Sequence, residues 1–233
     1  PLASPAAPIQ GGTTDILFHG IAKNVLHCDI TSLYPSVMLV HRCFPKSDEL
    51  GVFPALLEDL RAFRVRSKEQ AKSASDPQER NYANALQSTF KILINSFYGY
   101  LGFDMAHFND YEQANRVTQI GRETIQAIMK GLEAEGCRII EVDTDGIYFN
   151  PSSPLSEKDE AALMRRITAG LPEGIHLELD GHFPAMLSYK MKNYALLKGK
   201  GELLIKGSGL RSRGLERFQR QWMEEMFLLL LHG

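Results

Sequence analysis

The sequence is poor in the residues that covalent and metal-thiolate chemistry require. Cysteine occurs three times, as Cys28, Cys43 and Cys137, with no CxxC pair and no Cys/His spacing of the zinc-binding kind. A disulfide framework and a zinc site are therefore disfavoured, and free buried thiols are expected. No phosphate loop of the GxxxxGKS or GxxxxGKT type is present, and nothing resembles a nucleophilic Ser or Cys dyad. A P-loop ATPase and a covalent hydrolase thus find little support. No run approaches the roughly 18 apolar residues that a membrane span requires, and Pro1 to Pro8 has neither a basic start nor an apolar signal core. No membrane partner is expected, and the expected location is cytoplasmic, associated with the nucleoid in a prokaryote. Strong charge of one sign is also missing: the net charge is −2, so any nucleic-acid surface must be a local basic groove.

The 233 residues are 44% apolar and 23% charged, enough for one large domain or two small ones around a sizeable core. Pro1 to Gly12 is rich in Pro, Ala and Gly without periodicity and reads as a linker. Asn24 to Ile30 reads as a buried strand, and Ser32 to Val40 turns from it into an apolar helical stretch. Pro54 to Ala74 forms a helix closed by Ser75-Asp76-Pro77, with Pro77 suited to the first position of a return helix ending near Tyr98. Ala83, Leu86, Phe90, Leu93 and Phe97 make one apolar stripe along that second helix, so the pair reads as an antiparallel helical hairpin. A helix over about Glu112 to Glu135 carries Val117, Ile120, Thr124, Ile128 and Leu132 on one face. Arg138 to Val142, the turn Asp143-Thr144-Asp145-Gly146 and Ile147 to Phe149 read as a β-hairpin with carboxylates at its tip. A short helix at Glu157 to Ala169 and strands between Ile175 and Lys206 complete an α+β chain without internal repeats.

Two features carry chemistry. Asp29 ends one strand and Asp145 lies in the tight turn of another, so two acids distant in sequence can meet at neighbouring strand ends. Mg²⁺ takes oxygen ligands, commonly one or two protein carboxylates completed by water and substrate phosphates; solvated turn chemistry is the plainer alternative. On the helical hairpin, Arg61, Arg64 and Lys68 share a face by their spacing, and reflection about Asp76-Pro77 puts Lys91 roughly opposite Arg61 and Arg64. Such a cluster suits a triphosphate, and equally a solvated basic face.

Taken in order, the strings resemble family B DNA polymerases. Asp29 to Ser36 matches the motif DxxSLYPS, Lys91 to Gly99 matches KxxxNSxYG, and Asp143-Thr144-Asp145 matches the DTD turn. The helical hairpin lies between the first two, where that family has its fingers. The resemblance covers about residues 9 to 206 and implies a polymerase palm, an antiparallel sheet with packed helices, plus helical-hairpin fingers.

The resemblance further implies roles. Asp29 and Asp145 bind metal with the Ile30 carbonyl, Asp143 is a nearby acid, and the cofactor is Mg²⁺ as two ions, with Mn²⁺ as a substitute. Arg64, Lys68 and the catalytic Lys91 grip the triphosphate, and Ser32, Leu33 and Tyr34 line the nucleotide, with Leu33 and Tyr34 under the sugar. A ring packed there leaves no space for a 2′-hydroxyl. Asn95, Tyr98 and Gly99 face the nascent base pair. Thr144, Gly146, Lys192 and Tyr194 lie towards primer-template DNA, with Met191 standing at the first lysine of a KKxY-like segment. Gly11 and Gly12 resemble the end of a YxGG template-strand motif in which Ile9 replaces the tyrosine. Arg211, Arg213, Arg217 and Arg220 form a basic stretch suited to a nucleic-acid backbone or to a solvated helix face.

The expected organisation is linker and first part of the palm over 1–50, fingers over 51–100, remaining palm over 101–200, and a truncated thumb from 201. The expected partners are primer-template DNA, deoxynucleoside triphosphates and the rest of a polymerase chain, including an exonuclease domain and thumb. A silent nucleic-acid-binding or scaffold domain with the same fold is the alternative from another class. A metal-dependent phosphohydrolase built on the same acids is a further one.

Overall fold

A computed structural model describes residues 11–211 and 214–233. Ile9 and Arg213, named above, lie outside them. The chain folds as two compact units, one holding Ser32–Gly121 and Glu173–Ile175, the other holding Gly12–Thr31, Arg122–Pro172 and His176–Gly233.

The first unit is helical. Its α1 (Leu33–Val40) starts after Ser32, whose φ of 51° is left-handed. Helices α2 (Val52–Ser73) and α3 (Pro77–Leu101) follow. At the start of α2 the Asp48 carboxylate accepts from the N–H groups of Val52 at 3.0 Å and Phe53 at 2.7 Å, satisfying donors that no helical carbonyl can reach. Asp76 does the same for α3, accepting from Gln78 and Glu79, and Pro77 occupies the first turn, where its missing N–H costs nothing. Phe53 meets Phe97 and Phe63 stacks on Phe90, while Gln70 donates to Glu79. In each pair the two residue numbers sum to nearly the same value, the signature of an antiparallel hairpin. The apolar stripe of α3 is only partly covered: Ala83 is buried, whereas Leu93 is 45% exposed and lines a groove of about 320 Å³ with Val52, Leu56 and Phe97. Helix α4 (Tyr111–Ala134) belongs to this unit through Gly121.

The second unit is built on a seven-stranded sheet in the order β1-β3-β4-β2-β5-β6-β7, antiparallel throughout. The strands are β1 (Thr14–Ile16), β2 (Gly20–Ile30), β3 (Arg138–Asp143), β4 (Gly146–Asn150), β5 (Leu177–Lys190), β6 (Asn193–Leu197) and β7 (Leu203–Lys206). Helices α5 (Glu157–Ala169) and α6 (Arg217–His232) complete the unit. Strand β2 begins four residues earlier than its apolar run suggests, because pairing with β5 from Gly20 onward fixes it. Ala22, Val25, Ile140, Tyr148, Met186, Tyr194 and Leu196 form one core cluster of the sheet. A second cluster, with Ala185, Ala195 and Leu197, packs on Phe227 and Leu231 of α6. The stripe of α4 reads as expected here, with Ile128 and Leu132 fully buried.

Stability should separate core from cap. Met186 is fully buried in the sheet core, so Met186→Ala should cost about 2–5 kcal/mol. Asp76→Ala, which removes only a helix cap, should cost about 1 kcal/mol. Urea denaturation of both variants would test that order; equal losses would contradict it.

Candidate active site

In the second unit, β2 runs out at Asp29-Ile30 just where β4 begins at Gly146. Asp29 pairs with Gly146 in register, and the Ile30 N–H donates to the Asp145 carbonyl at 2.8 Å. Both acids therefore sit at the same end of two adjacent strands. Asp29 is half-buried and Asp145 exposed. A Cβ on Gly146 would lie 2.5 Å from His27 Nε2 and 3.4 Å from Asp29 Oδ1, so the position after Asp145 has no space for a side chain. Thr144 at the turn has φ 45°, costly for a β-branched residue, and its N–H is held by the Thr13 carbonyl at 2.8 Å.

The third acid of the turn is engaged differently. Asp143 Oδ1 is 2.9 Å from Lys192 Nζ, so its charge is countered within the unit. Lys192 has a left-handed φ of 58°, and its N–H donates at 2.8 Å to Glu141 Oε1. Glu141 is fully buried and also accepts from Ser188 Oγ at 3.2 Å. Burial pushes its carboxyl above the usual carboxylate range, against the hydrogen bonds from Lys192 and Ser188, which pull it down. Tyr194 is in the core, its hydroxyl 3.1 Å from that of Tyr148, and burial raises both phenols so that they stay neutral. Met191 is 53% exposed beside Lys192.

Among the described residues no cluster of three or more His, Cys, Asp or Glu could hold a metal by itself. Two carboxylates and a backbone carbonyl at one sheet end fit a hard cation that keeps water and phosphate oxygens in its shell, and do not fit a cage made of protein alone. His27 is a neighbour that sequence reading passed over. Strand alternation puts it on the face of Asp29, where Nδ1 pairs with Asp180 Oδ1 and the ring lies 4.1 Å from that of Tyr148. That alternation was the available signal.

In the first unit, Arg64 Nη1 donates to Ser32 Oγ at 2.7 Å, joining the residue before α1 to the basic face of α2. Arg61 Nη2 reaches the Gly174 carbonyl at 3.4 Å. Lys68 is half-buried, and Lys91 and Asn95 are exposed on α3. Lys91 follows Phe90, whose ring stacks on Phe63, so the fold puts it at the level of Arg64 on the opposite helix. The Tyr34 ring lies 4.4 Å from that of Tyr98, Leu33 is buried and Gly99 exposed. Gly11 is exposed and Gly12 half-buried. Of the basic stretch near the C-terminal end, Arg211 and Arg220 line a cleft of about 340 Å³ with Met223 and Glu224, and Arg217 opens α6.

The buried Glu141 makes a pH prediction. Its folded-state pKa is raised from 4.5, so the stability tied to it is complete below about pH 4.5 and is lost as pH rises through the folded value. Glu141→Gln should remove that loss, so the difference in melting temperature between variant and parent should shift in favour of the variant as pH rises above 4.5. A difference independent of pH would contradict the assignment.

The model of DNA polymerase family B matches residues 40–233. DNA polymerase 1 of Pyrococcus abyssi is 30% identical over 92% of this chain and 30% of its own length. The DNA polymerase of Thermococcus sp. (strain 9oN-7) is 30% identical over 96% of the chain and 31% of its own length. The chain thus spans under a third of these relatives. The family B DNA polymerase from Pyrobaculum calidifontis has a similar fold, with a TM-score of 0.66 at 20% identity, over 96% of this chain and 34% of that one. With a family match across most of its length and the sheet and helical hairpin already described, the chain belongs to DNA polymerase family B.

Proposed function

We propose that the chain is the polymerising core of an enzyme that adds deoxynucleotides to a primer 3′ end, directed by a template strand. The observation that carries this reading is the register of β2 against β4, which sets Asp29 and Asp145 at one end of the sheet. In the proposed reaction the primer 3′-oxygen bonds to the α-phosphorus of the triphosphate, and the bond to pyrophosphate breaks. Asp29, Asp145 and the Ile30 carbonyl would hold divalent cations, Mg²⁺ or Mn²⁺, whose chemistry when bound is to acidify the attacking hydroxyl and neutralise the leaving group.

The remaining work falls to the chain's own groups. Arg64, Lys68 and Lys91 bind and orient the triphosphate, where fixed positive charge offsets the charge that develops on the phosphate oxygens. Leu33 and Tyr34 lie under the sugar, with Ser32 accepting from Arg64 at the start of α1. Asn95, Tyr98 and Gly99 line the nascent base pair. Lys192 contacts the DNA backbone, with Tyr194 supporting its hairpin from the core and Thr144, Gly146, Gly11 and Gly12 lying along the strands. Asp143, paired with Lys192, tunes the field at the turn. Exonuclease and thumb segments of a longer polymerase complete the set of partners.

Single-nucleotide primer extension with Mg²⁺ and then Mn²⁺ tests this in the full polypeptide that carries the chain. Asp29→Ala and Asp145→Ala should each lower extension by about 10³-fold or more, the scale of several kcal/mol of lost charge stabilisation. Extension that survives either change would refute the assignment of the acids. Release of inorganic phosphate in place of pyrophosphate would point to a phosphohydrolase.

A further inference from the structure

Gly121 sits on α4 in the first unit, buried, at a place where the helix comes unusually close to the Tyr34 ring. A Cβ there would lie 3.1 Å from Tyr34 Cε1, 3.5 Å from Cδ1 of the same ring and 3.5 Å from Leu33 Cδ2. The first distance is tighter than ordinary carbon contact, so the ring or the helix would have to give. Nothing about helix formation asks for glycine at this point, since an alanine in a helix interior is more stable than a glycine by roughly 1 kcal/mol. The Tyr34 ring is bounded elsewhere by the Tyr98 ring at 4.4 Å, and Leu33 beside it is buried. Tyr34 is therefore seated between a helix position with no side chain and an aromatic neighbour.

We propose that Gly121 is a specificity-determining position, setting how deep the Tyr34 ring sits and so how much space remains above it for the sugar of an incoming nucleotide. This rests on the reading of Tyr34 as the residue beneath the sugar. Gly121 touches no substrate; it acts through the ring. A methyl group at Gly121 would press on the ring edge at Cε1 and drive the ring away from α4 into the sugar space. Binding of a deoxynucleotide would suffer, and a ribonucleotide, with its extra hydroxyl, would suffer more.

The experiment is single-nucleotide insertion by the full polypeptide carrying this chain, comparing deoxy- and ribonucleoside triphosphates in the parent, Gly121→Ala, Tyr34→Ala and the double variant. Gly121→Ala should raise KM for the deoxynucleotide by about 10-fold, the discrimination one methylene exerts in a close-fitting pocket, with kcat little changed. It should lower relative ribonucleotide use further. Tyr34→Ala should admit ribonucleotides, and in that background Gly121→Ala should have no effect, because the ring it presses on is gone. If Tyr34→Ala admits ribonucleotides while Gly121→Ala matches the parent, the inference about Gly121 fails and the sugar assignment stands. If Tyr34→Ala leaves ribonucleotide use unchanged, the sugar assignment fails and the inference with it. An effect of Gly121→Ala that persists in the double variant would also overturn it. Thermal unfolding covers the remaining case: a single variant that does not fold while the double variant does would locate the conflict at the ring, and failure of both would refute it.

Discussion

The antiparallel register between β2 and β4 is the constraint on which the carboxylate turn depends. Side chains along a strand alternate between faces, so a slip of one residue would turn Asp29 to the opposite face and bring Cys28 or Ile30 to its place. The hydrogen bond from the Ile30 N–H to the Asp145 carbonyl continues the ladder past the last paired residues and fixes the turn itself. Strand β2 is also the long central partner of β5, so the alignment of the acids is anchored on both sides by pairs of buried residues. The two acids cost the fold little because they lie at a strand end and a turn, where water and ligands can reach them.

Much of this arrangement was legible in the sequence because its signals were local. Asp76-Pro77 announces both the end of one helix and the start of the next, and Asp143 to Gly146 between two apolar runs announces a hairpin. The family strings then joined Asp29, Lys91 and Asp145 into one ordered set. What escaped depended on distant pairing. Strand β1 is three residues long, too short for any period to show, and owes its existence to β3. Helix α6 starts at a Glu216–Gln219 capping box without the Ser, Thr, Asp or Asn that usually marks such a start. Strand β3 gave no hint that Glu141 is buried, because Ile139, Ile140, Glu141 and Val142 are buried together and the usual in-and-out alternation is absent.

Buried and exposed charge have different tasks in the two units. In the second unit a fully desolvated acid, Glu141, spends its acceptors on a backbone N–H and a hydroxyl, holding the β5–β6 turn in a left-handed conformation that Lys192 would not adopt unaided. In the first unit the cations of α2 and α3 stay at or near the surface, and Arg64 donates to the neutral hydroxyl of Ser32.

The bond between the Thr144 N–H and the Thr13 carbonyl has a mechanical meaning. Thr13 directly precedes the edge strand of the sheet, and β1 is attached through only three residue pairs. The strained tip that carries Asp145 is thus tethered to the segment entering the sheet from the N-terminal side. A tug on that segment would be felt first at the Thr13–Thr144 bond, then along β1, and only afterwards in the core. The most weakly fastened strand of the sheet is in this way the one with the most direct mechanical line to the carboxylates.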